Sequence, residues 1–228
     1  MRGIGSRMPV NERKDRTSQA SPTKASARSS GSIAAVFLVG FMGAGKTSVG
    51  RALGQRLNWI FEDLDDRIVQ RERHSVAEIF QNSGEAAFRQ AETLALQEVV
   101  EESHGEVSRG VSRIVALGGG AFAQKANLQL LKAAGAATVF LDAGVDELWR
   151  RCTKQVAESG ATRPLAQDKE KFHKLYDSRR KHYLKAAFHI ETSNIETGSR
   201  TVEAIAAEIE QVLGLRKLAL RIEQGDLE

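Results

Sequence analysis

A chain of 228 residues that is 41% hydrophobic and 27% charged has the composition of a globular protein built around one large core. Seven of its 33 Lys and Arg but only two of its 29 Asp and Glu lie in residues 1–31, so the excess positive charge belongs to that segment. We therefore predict no nucleic-acid partner. The only cysteine, Cys152, excludes an intramolecular disulfide, and the longest apolar run, residues 33–45, is too short to span a membrane.

Residues 1–31 are rich in Ser, Thr, Lys and Arg and poor in large apolar side chains. Such a segment buries too little apolar surface to offset the entropy of ordering, so we predict a disordered basic extension. We expect a bacterial protein of the cytoplasm; an organellar transit peptide, which this composition also resembles, is the alternative. Residues 32–214 are then the core domain, and residues 215–228 are a C-terminal extension.

From residue 33 onward, segments with the pattern of strands alternate with segments of helical periodicity. Short apolar runs predict strands at 34–39, 59–61, 113–117, 137–141 and 189–192. Helical patterns occupy 46–57, 65–82, 85–103, 125–133, 146–153, 169–186 and 201–213. This alternation predicts a three-layer α/β fold, with a parallel sheet covered by helices on both faces. Ligands are expected beyond the carboxyl ends of the strands.

The first predicted strand leads into a phosphate-binding loop. Residues Gly40 to Thr47 have the complete pattern G-x-x-x-x-G-K-[ST], directly before a helical segment. Lys46 is predicted to contact the β- and γ-phosphates of ATP during catalysis, and the Thr47 hydroxyl is predicted to ligate Mg²⁺. The residues expected to surround the nucleotide phosphates are Gly43, Ala44, Gly45, Lys46, Thr47 and Ser48.

Two acidic residues follow the second predicted strand. Asp63 and Asp65 alternate on an extended segment, which points both carboxylates beyond the end of the strand. Paired carboxylates beside a nucleotide loop suit two separate tasks, one at the metal and one at the hydroxyl of the acceptor. The alternative is an acidic helix start, because Asp66 comes next and negative charge stabilises a helix N-terminus.

Two arginines lie at unusual positions on predicted helices. Arg179 falls on an apolar stripe with Phe172 and Tyr183, where a cation needs a carboxylate or an anionic ligand. Arg89 lies three residues before Glu92, which could aim its guanidinium. Both arginines are candidates for binding an anionic acceptor; a salt-bridged or solvent-reaching helix arginine is the alternative.

Two loops complete the candidate site. Gly118, Gly119 and Gly120 follow an apolar strand, and glycines there allow a ligand to approach the backbone closely; a merely flexible loop is the alternative. Arg163 lies in a polar segment between two helices, residues 154–168, which is long for a connection in a compact domain. We predict that this segment is a mobile lid that excludes water, with Arg163 contacting ATP and acting in catalysis.

Taken together, these segments resemble the shikimate kinase family. The resemblance extends over about residues 33–213, with six motifs in the family's order. They are residues 37–47 for the nucleotide loop, 61–65 for a D-x-D sequence, 79–92 for an acceptor-binding segment, 118–121 for a glycine triplet, 163–165 for the lid and Arg179 for a second acceptor-binding arginine.

The resemblance implies a five-stranded parallel sheet in the order 2-3-1-4-5 and ATP:shikimate 3-phosphotransferase activity, which serves the synthesis of aromatic amino acids. It implies that the acceptor is held by Asp65, Arg89, Gly118, Gly119, Gly120 and Arg179, with Asp65 taking the proton of its hydroxyl. It also implies that Thr47 and Asp63 serve Mg²⁺. ATP and shikimate are the expected partners, and we expect a monomer that needs no membrane.

Two features depart from the family pattern. The segment from Arg150 to Thr162 is longer than usual, so either Arg150 or Arg151 could match the arginine with which the family contacts nucleotide. Residues 1–31 and the end beyond Leu215 match no part of the family core. A gluconate kinase and a regulator that binds ATP or shikimate without turnover are the alternative functions.

Overall fold

The computed structural model describes residues 33–107, 110–159, 167–193 and 200–215, all within one compact unit, residues 32–228. Within the described ranges, five strands form one sheet: β1 Ala35–Val39, β2 Ile60–Asp63, β3 Arg113–Ala116, β4 Ala137–Asp142 and β5 Phe188–Glu191. The helices in the same ranges are α1 Lys46–Leu57, α2 Leu64–Glu72, α3 Val76–Val107, α4 Lys125–Ala133, α5 Val145–Ser159, α6 Lys169–Tyr183 and α7 Val202–Val212. A short 3₁₀ turn, Ala121–Ala123, precedes α4.

The strands are parallel and lie in the order β2-β3-β1-β4-β5, as predicted. β1 is central and all five of its residues are buried, which explains why it reads as a continuous apolar run. Because all strands run the same way, the segments that follow β1, β2 and β3 meet at one edge of the sheet. The nucleotide loop, the two aspartates and the glycine triplet are therefore brought together at that edge.

The helix predicted over residues 65–82 is wrong in one respect, because the structure divides it into α2 and the start of α3. Arg73 adopts a left-handed conformation with φ 56° and ends α2. Ser75 then starts α3 through a reciprocal cap: its N–H donates to Glu78 Oε2 at 2.7 Å, and Glu78 N–H donates to Ser75 Oγ at 3.2 Å. A further kink lies at Gly84, with φ 78° and ψ 177°. The chain direction therefore changes twice before Arg89.

An aromatic cluster fixes α6 against the nucleotide loop. The ring of Phe41, inside the loop, meets Phe172 edge-on at 5.0 Å between centroids and Tyr176 at 5.5 Å. Trp149 of α5 packs edge-on against the same Phe172 ring at 5.1 Å. Edge-to-face aromatic pairs restrict the relative position of the elements that carry them. The cluster thus holds Arg179, on the next turns of α6, beside the loop.

None of the helices within the described ranges is both long and apolar enough to cross a lipid bilayer. The predicted N-terminal extension lies outside the described residues, as does the C-terminal extension apart from Leu215. The predicted lid, residues 154–168, begins too early, because helix α5 continues to Ser159. Its central part, residues 160–166 with Arg163, lies outside the described residues.

Candidate active site

The nucleotide loop joins β1 to α1. Gly45 adopts φ 91° immediately before the first helical residue, Lys46. The Lys46 ammonium donates to the carbonyl oxygens of Gly40 at 2.9 Å and Phe41 at 3.1 Å, so it already lies over the loop. Ala44 of the loop is buried, whereas Ser48 is exposed on the first turn of α1. The N-terminus of α1 together with the Lys46 ammonium suits the binding of an anion.

Thr47 and Asp63 meet at the carboxyl end of the sheet. The Thr47 hydroxyl donates to Asp63 Oδ2 at 3.1 Å, and Asp63 Oδ1 accepts from the N–H of Asp65 at 3.1 Å, which caps α2. The described residues contain no group of three or more His, Cys, Asp or Glu side chains that could hold a metal ion. A hydroxyl and one carboxylate suit Mg²⁺ bound to a nucleotide, because Mg²⁺ takes its remaining ligands from phosphates and water.

Asp65 points into the interior of the site. Its Oδ1 is buried and has no hydrogen-bond partner among the described residues. Burial raises the pKa of the Asp65 carboxyl, and the negative charge of Asp63 raises it further, against the opposing effect of Lys46. A buried carboxylate oxygen without a partner can accept a hydrogen bond from a ligand hydroxyl and take up its proton.

Arg89 is held by two carboxylates on its own helix, of which only Glu92 is buried. Arg89 Nη1 donates to Glu92 Oε2 at 2.9 Å, and its Nε and Nη2 donate to Glu85 Oε1 at 3.3 and 3.2 Å. The ion pair predicted from the three-residue spacing is therefore present. Gln124 donates to the same oxygen of Glu92, while Glu92 Oε1 is buried without a hydrogen-bond partner among the described residues. Burial raises the pKa of Glu92, although Arg89 opposes the rise.

The glycine triplet is the point at which these side chains meet. A Cβ atom added to Gly118 would lie 2.7 Å from Asp65 Oδ1 and 3.1 Å from Glu92 Oε1. A Cβ added to Gly120 would lie 2.5 Å from Arg89 Nη1. Any side chain at these two positions would displace a group of the candidate site, so the close approach requires glycine.

Arg179 lies on the opposite side of the triplet. A Cβ added to Gly119 would lie 3.4 Å from Arg179 Nη1 and 3.8 Å from Tyr183 Oη. The Arg179 guanidinium also lies over the ring of Phe41, 5.9 Å from its centroid. Two guanidinium groups, Arg89 and Arg179, thus border one short loop, and such an arrangement suits a carboxylate ligand.

Arg151 and Arg150, between which the sequence left a choice, have different surroundings. Arg151 Nη1 donates to the carbonyl of Gly43 at 3.2 Å, and Nη2 donates to the carbonyl of Thr192 at 2.5 Å. Its neighbour Arg150 is exposed. Arg151 therefore joins the nucleotide loop to the segment after β5. Sequence reasoning did not identify the roles of Gln124, Thr192 or Tyr183, since all three depend on contacts between distant segments.

Comparisons with known proteins agree with this geometry. The family model described as shikimate kinase matches residues 42–213. A shikimate kinase of Cereibacter sphaeroides is 33% identical over 83% of this chain and 87% of its own length, and one of Geobacter metallireducens is 38% identical over 78% and 90%.

Solved structures lead to the same family. A shikimate kinase from Acinetobacter baumannii, in complex with shikimate, superposes with a TM-score of 0.66 at 31% identity over 81% of this chain and 94% of that one. The enzyme from Aquifex aeolicus gives a TM-score of 0.64 at 30% identity, over 81% of this chain and 99% of that one. The family predicted from the six motifs is thereby confirmed: this chain belongs to the shikimate kinase family.

Proposed function

We propose that the chain, as a member of the shikimate kinase family, transfers the γ-phosphate of ATP to the 3-hydroxyl of shikimate through the residues gathered around Gly118–Gly120. The observation that carries this assignment is the meeting of three chemical groups at one loop. A carboxylate that can accept a proton, Asp65, lies at Gly118, and two guanidinium groups that can bind a carboxylate, Arg89 and Arg179, lie at Gly120 and Gly119. Shikimate carries both a carboxylate and hydroxyl groups.

The phosphates of ATP are assigned to residues 43–48. Lys46 would exchange its contacts with the carbonyls of Gly40 and Phe41 for contacts with phosphate oxygens, which bear far more negative charge. Arg151, held against Gly43, is assigned to the nucleotide, since its guanidinium lies between the loop and Thr192. The transition state of phosphoryl transfer is loose, so placement and charge neutralisation contribute more than the strength of a base.

Magnesium is the proposed cofactor, and the oxygens of Thr47 and Asp63 would hold it. When bound with ATP, Mg²⁺ would neutralise charge on the phosphate oxygens. The chain's own part is to hold the two oxygens together, which the 3.1 Å contact between Thr47 Oγ1 and Asp63 Oδ2 achieves. Asp63 also caps α2, so the carboxylate is fixed before any ligand arrives.

The acceptor is assigned to the space beside the glycine triplet that Asp65, Arg89 and Arg179 border. Arg89 and Arg179 bind its carboxylate, and Asp65 orients the reacting hydroxyl and takes its proton. Burial of Asp65 favours this role because a raised pKa brings the carboxylate closer to the pKa range in which proton transfer is effective. Arg163 remains a proposed lid residue that contacts the phosphoryl group after closure. We further propose that the protein is a cytoplasmic monomer.

The direct test is a coupled assay of ADP release with the purified full chain, ATP, Mg²⁺ and one acceptor at a time. Shikimate, quinate and gluconate all carry a carboxylate and hydroxyl groups, but they differ in ring structure and in hydroxyl arrangement. We expect kcat/KM for shikimate to exceed that for gluconate by at least about a hundredfold, because a site built around specific polar groups discriminates strongly. Equal turnover of gluconate would contradict the acceptor assignment, and no turnover of any acceptor would contradict a kinase.

A further inference from the structure

Tyr183 is a buried residue at the candidate site that the proposed mechanism does not use. It is the last residue of α6, its side chain is 0% exposed, and its ring packs against Phe140 of β4 with 5.4 Å between centroids. Its hydroxyl donates to the carbonyl of Gly119. A tyrosine that served packing alone would not need its hydroxyl directed at the glycine triplet.

Arg179 lies beside the same glycine, because a Cβ added to Gly119 would lie 3.4 Å from Arg179 Nη1 and 3.8 Å from Tyr183 Oη. The two residues are four apart on α6 and therefore lie on one face of the helix. Burial raises the pKa of Tyr183 to about 12, although the neighbouring guanidinium of Arg179 opposes the rise. The hydroxyl therefore keeps its proton at neutral pH. It can donate to Gly119 while its lone pairs accept from the guanidinium.

One hydroxyl thus joins two parts of the acceptor site. Gly119 supplies its carbonyl, and because the peptide between Gly119 and Gly120 is planar, fixing that carbonyl also fixes the direction of the Gly120 N–H. Arg179 has a long, flexible side chain, which loses conformational freedom when its guanidinium is held in one orientation. A contact that restrains it before the acceptor arrives reduces the entropy lost on binding.

We propose that Tyr183 is a positioning residue for the acceptor carboxylate: its hydroxyl, anchored on the carbonyl of Gly119, holds Arg179 beside that glycine. The inference rests on the proposed function, because it assumes that Arg179 binds the carboxylate of shikimate. It adds a residue that acts through Arg179 and does not itself touch the phosphoryl group. The role predicts an effect on acceptor affinity that loss of packing would not produce.

The test compares Tyr183→Phe with Tyr176→Phe. Tyr176 is a matched control, since it lies on the same helix, is 7% exposed, donates to Ala143 at 3.1 Å and accepts from Arg180 Nε at 3.1 Å. Both variants keep the aromatic ring and lose one buried hydroxyl. We expect Tyr183→Phe to raise the KM for shikimate about tenfold, since hydrogen bonds involving charged groups are among the stronger ones. The KM for ATP should change by less than about twofold, and Tyr176→Phe should change neither value by more than that.

A double-mutant cycle with Arg179→Ala identifies the route of the effect. If Tyr183 acts through Arg179, then Tyr183→Phe should raise the KM for shikimate in the parent and have almost no further effect in the Arg179→Ala background. The positioning role would be overturned by an unchanged shikimate KM in Tyr183→Phe, or by the same increase in both backgrounds. In either case, a large rise of the shikimate KM in Arg179→Ala would leave the proposed function intact. A parent enzyme without shikimate turnover, or an Arg179→Ala variant with normal shikimate KM, would overturn both. Thermal unfolding of each variant shows that the compared proteins are folded.

Discussion

The Thr47 hydroxyl donates to Asp63 Oδ2 at 3.1 Å, a contact that joins the first turn of α1 to the end of β2. The contact separates the tasks of two aspartates that have similar surroundings in the sequence. Asp63 faces the nucleotide helix, whereas the Oδ1 atom of Asp65 faces Gly118. The proposed division, with Asp63 at the metal and Asp65 at the acceptor, follows from these two directions.

Exchanging each aspartate for asparagine tests that division. Asp63→Asn should raise the Mg²⁺ concentration needed for half-maximal activity and lower kcat, with little change in shikimate affinity, because an amide is a weaker ligand for a hard cation. Asp65→Asn should lower kcat by about 10²-fold or more while the affinity for Mg·ATP stays close to that of the parent, because an amide cannot accept the proton. Separate titrations with Mg²⁺, ATP and shikimate give these quantities. A metal defect in Asp65→Asn together with an acceptor defect in Asp63→Asn would reverse the two roles.

A methyl group at Gly120 should weaken acceptor binding without unfolding the protein. In Gly120→Ala the new Cβ would lie 2.5 Å from Arg89 Nη1 and 2.7 Å from Nη2, so the guanidinium must move. Since the end of an arginine side chain moves easily, we expect the KM for shikimate to rise about tenfold or more while the KM for ATP changes little.

Gly144→Ala provides the control for that variant. Gly144 precedes α5, and a Cβ added there has no neighbour within 4 Å. This control should retain the parent values of both KM constants. If Gly120→Ala behaves like Gly144→Ala, Arg89 does not contribute to acceptor binding from its position in the structure.

Because the Glu92 carboxylate is buried, we predict that replacing it raises stability in a pH-dependent way and weakens acceptor binding. Burial raises the pKa of the Glu92 carboxyl above 4.5, and the negative charge of Asp65 adds to the rise. The positive charge of Arg89 and the hydrogen bonds from Arg89 and Gln124 oppose it but do not cancel it. The ionised form therefore disfavours folding at neutral pH, and Glu92→Gln should raise the thermal unfolding temperature there by a few degrees. This gain should shrink as the pH falls through the raised pKa of the folded state toward 4.5, where the parent carboxyl is also protonated.

The same variant should bind shikimate less well, because Arg89 loses a charged partner that is 1% exposed. Glu85→Gln is the matched control, since Glu85 pairs with the same arginine but its side chain is 70% exposed. We expect little change in stability or in KM from that substitution. A lower unfolding temperature of Glu92→Gln at neutral pH would mean that the ion pair with Arg89 outweighs the penalty of burial.

Arg151 should matter for the nucleotide and not for the acceptor. Arg151→Ala removes the contacts with Gly43 and Thr192, so the KM for ATP should rise by about fivefold or more while the KM for shikimate changes little. Arg150→Ala, which changes the exposed neighbour, should have a much smaller effect. A larger ATP defect in Arg150→Ala would exchange the two assignments.

The sequence predicted those parts of the site in which backbone geometry permits few residue types. In the loop, Gly43 and Gly45 have φ of 80° and 91°, and in the triplet the side chains of Asp65 and Arg89 leave no room for a Cβ at Gly118 and Gly120. Arg179 falls on the apolar stripe of α6, and its neighbour Arg180 pairs with Asp142 at 2.8 Å. The order of the strands followed from the family resemblance and not from periodicity, since apolar runs do not show which strands are neighbours.

Other parts of the site could not be predicted from local pattern. The break between α2 and α3 depends on Arg73, whose left-handed conformation has no strong sequence signal in a non-glycine residue. The cap formed by Ser75 and Glu78 lies inside a segment through which the helical pattern continues, so periodicity did not indicate the break. The contacts of Tyr183 with Gly119 and of Arg151 with Thr192 join segments 64 and 41 residues apart, and no local pattern specifies such pairs.

Direct identification of the product tests the central claim. The full chain would be incubated with Mg²⁺, shikimate and ATP, and the product would be examined by phosphorus and proton NMR. The account predicts one phosphate ester on the 3-hydroxyl of shikimate, formed in equal amount to ADP, because Asp65 presents a single hydroxyl to the γ-phosphate. ADP release without a shikimate ester, or an ester on another hydroxyl, would contradict it.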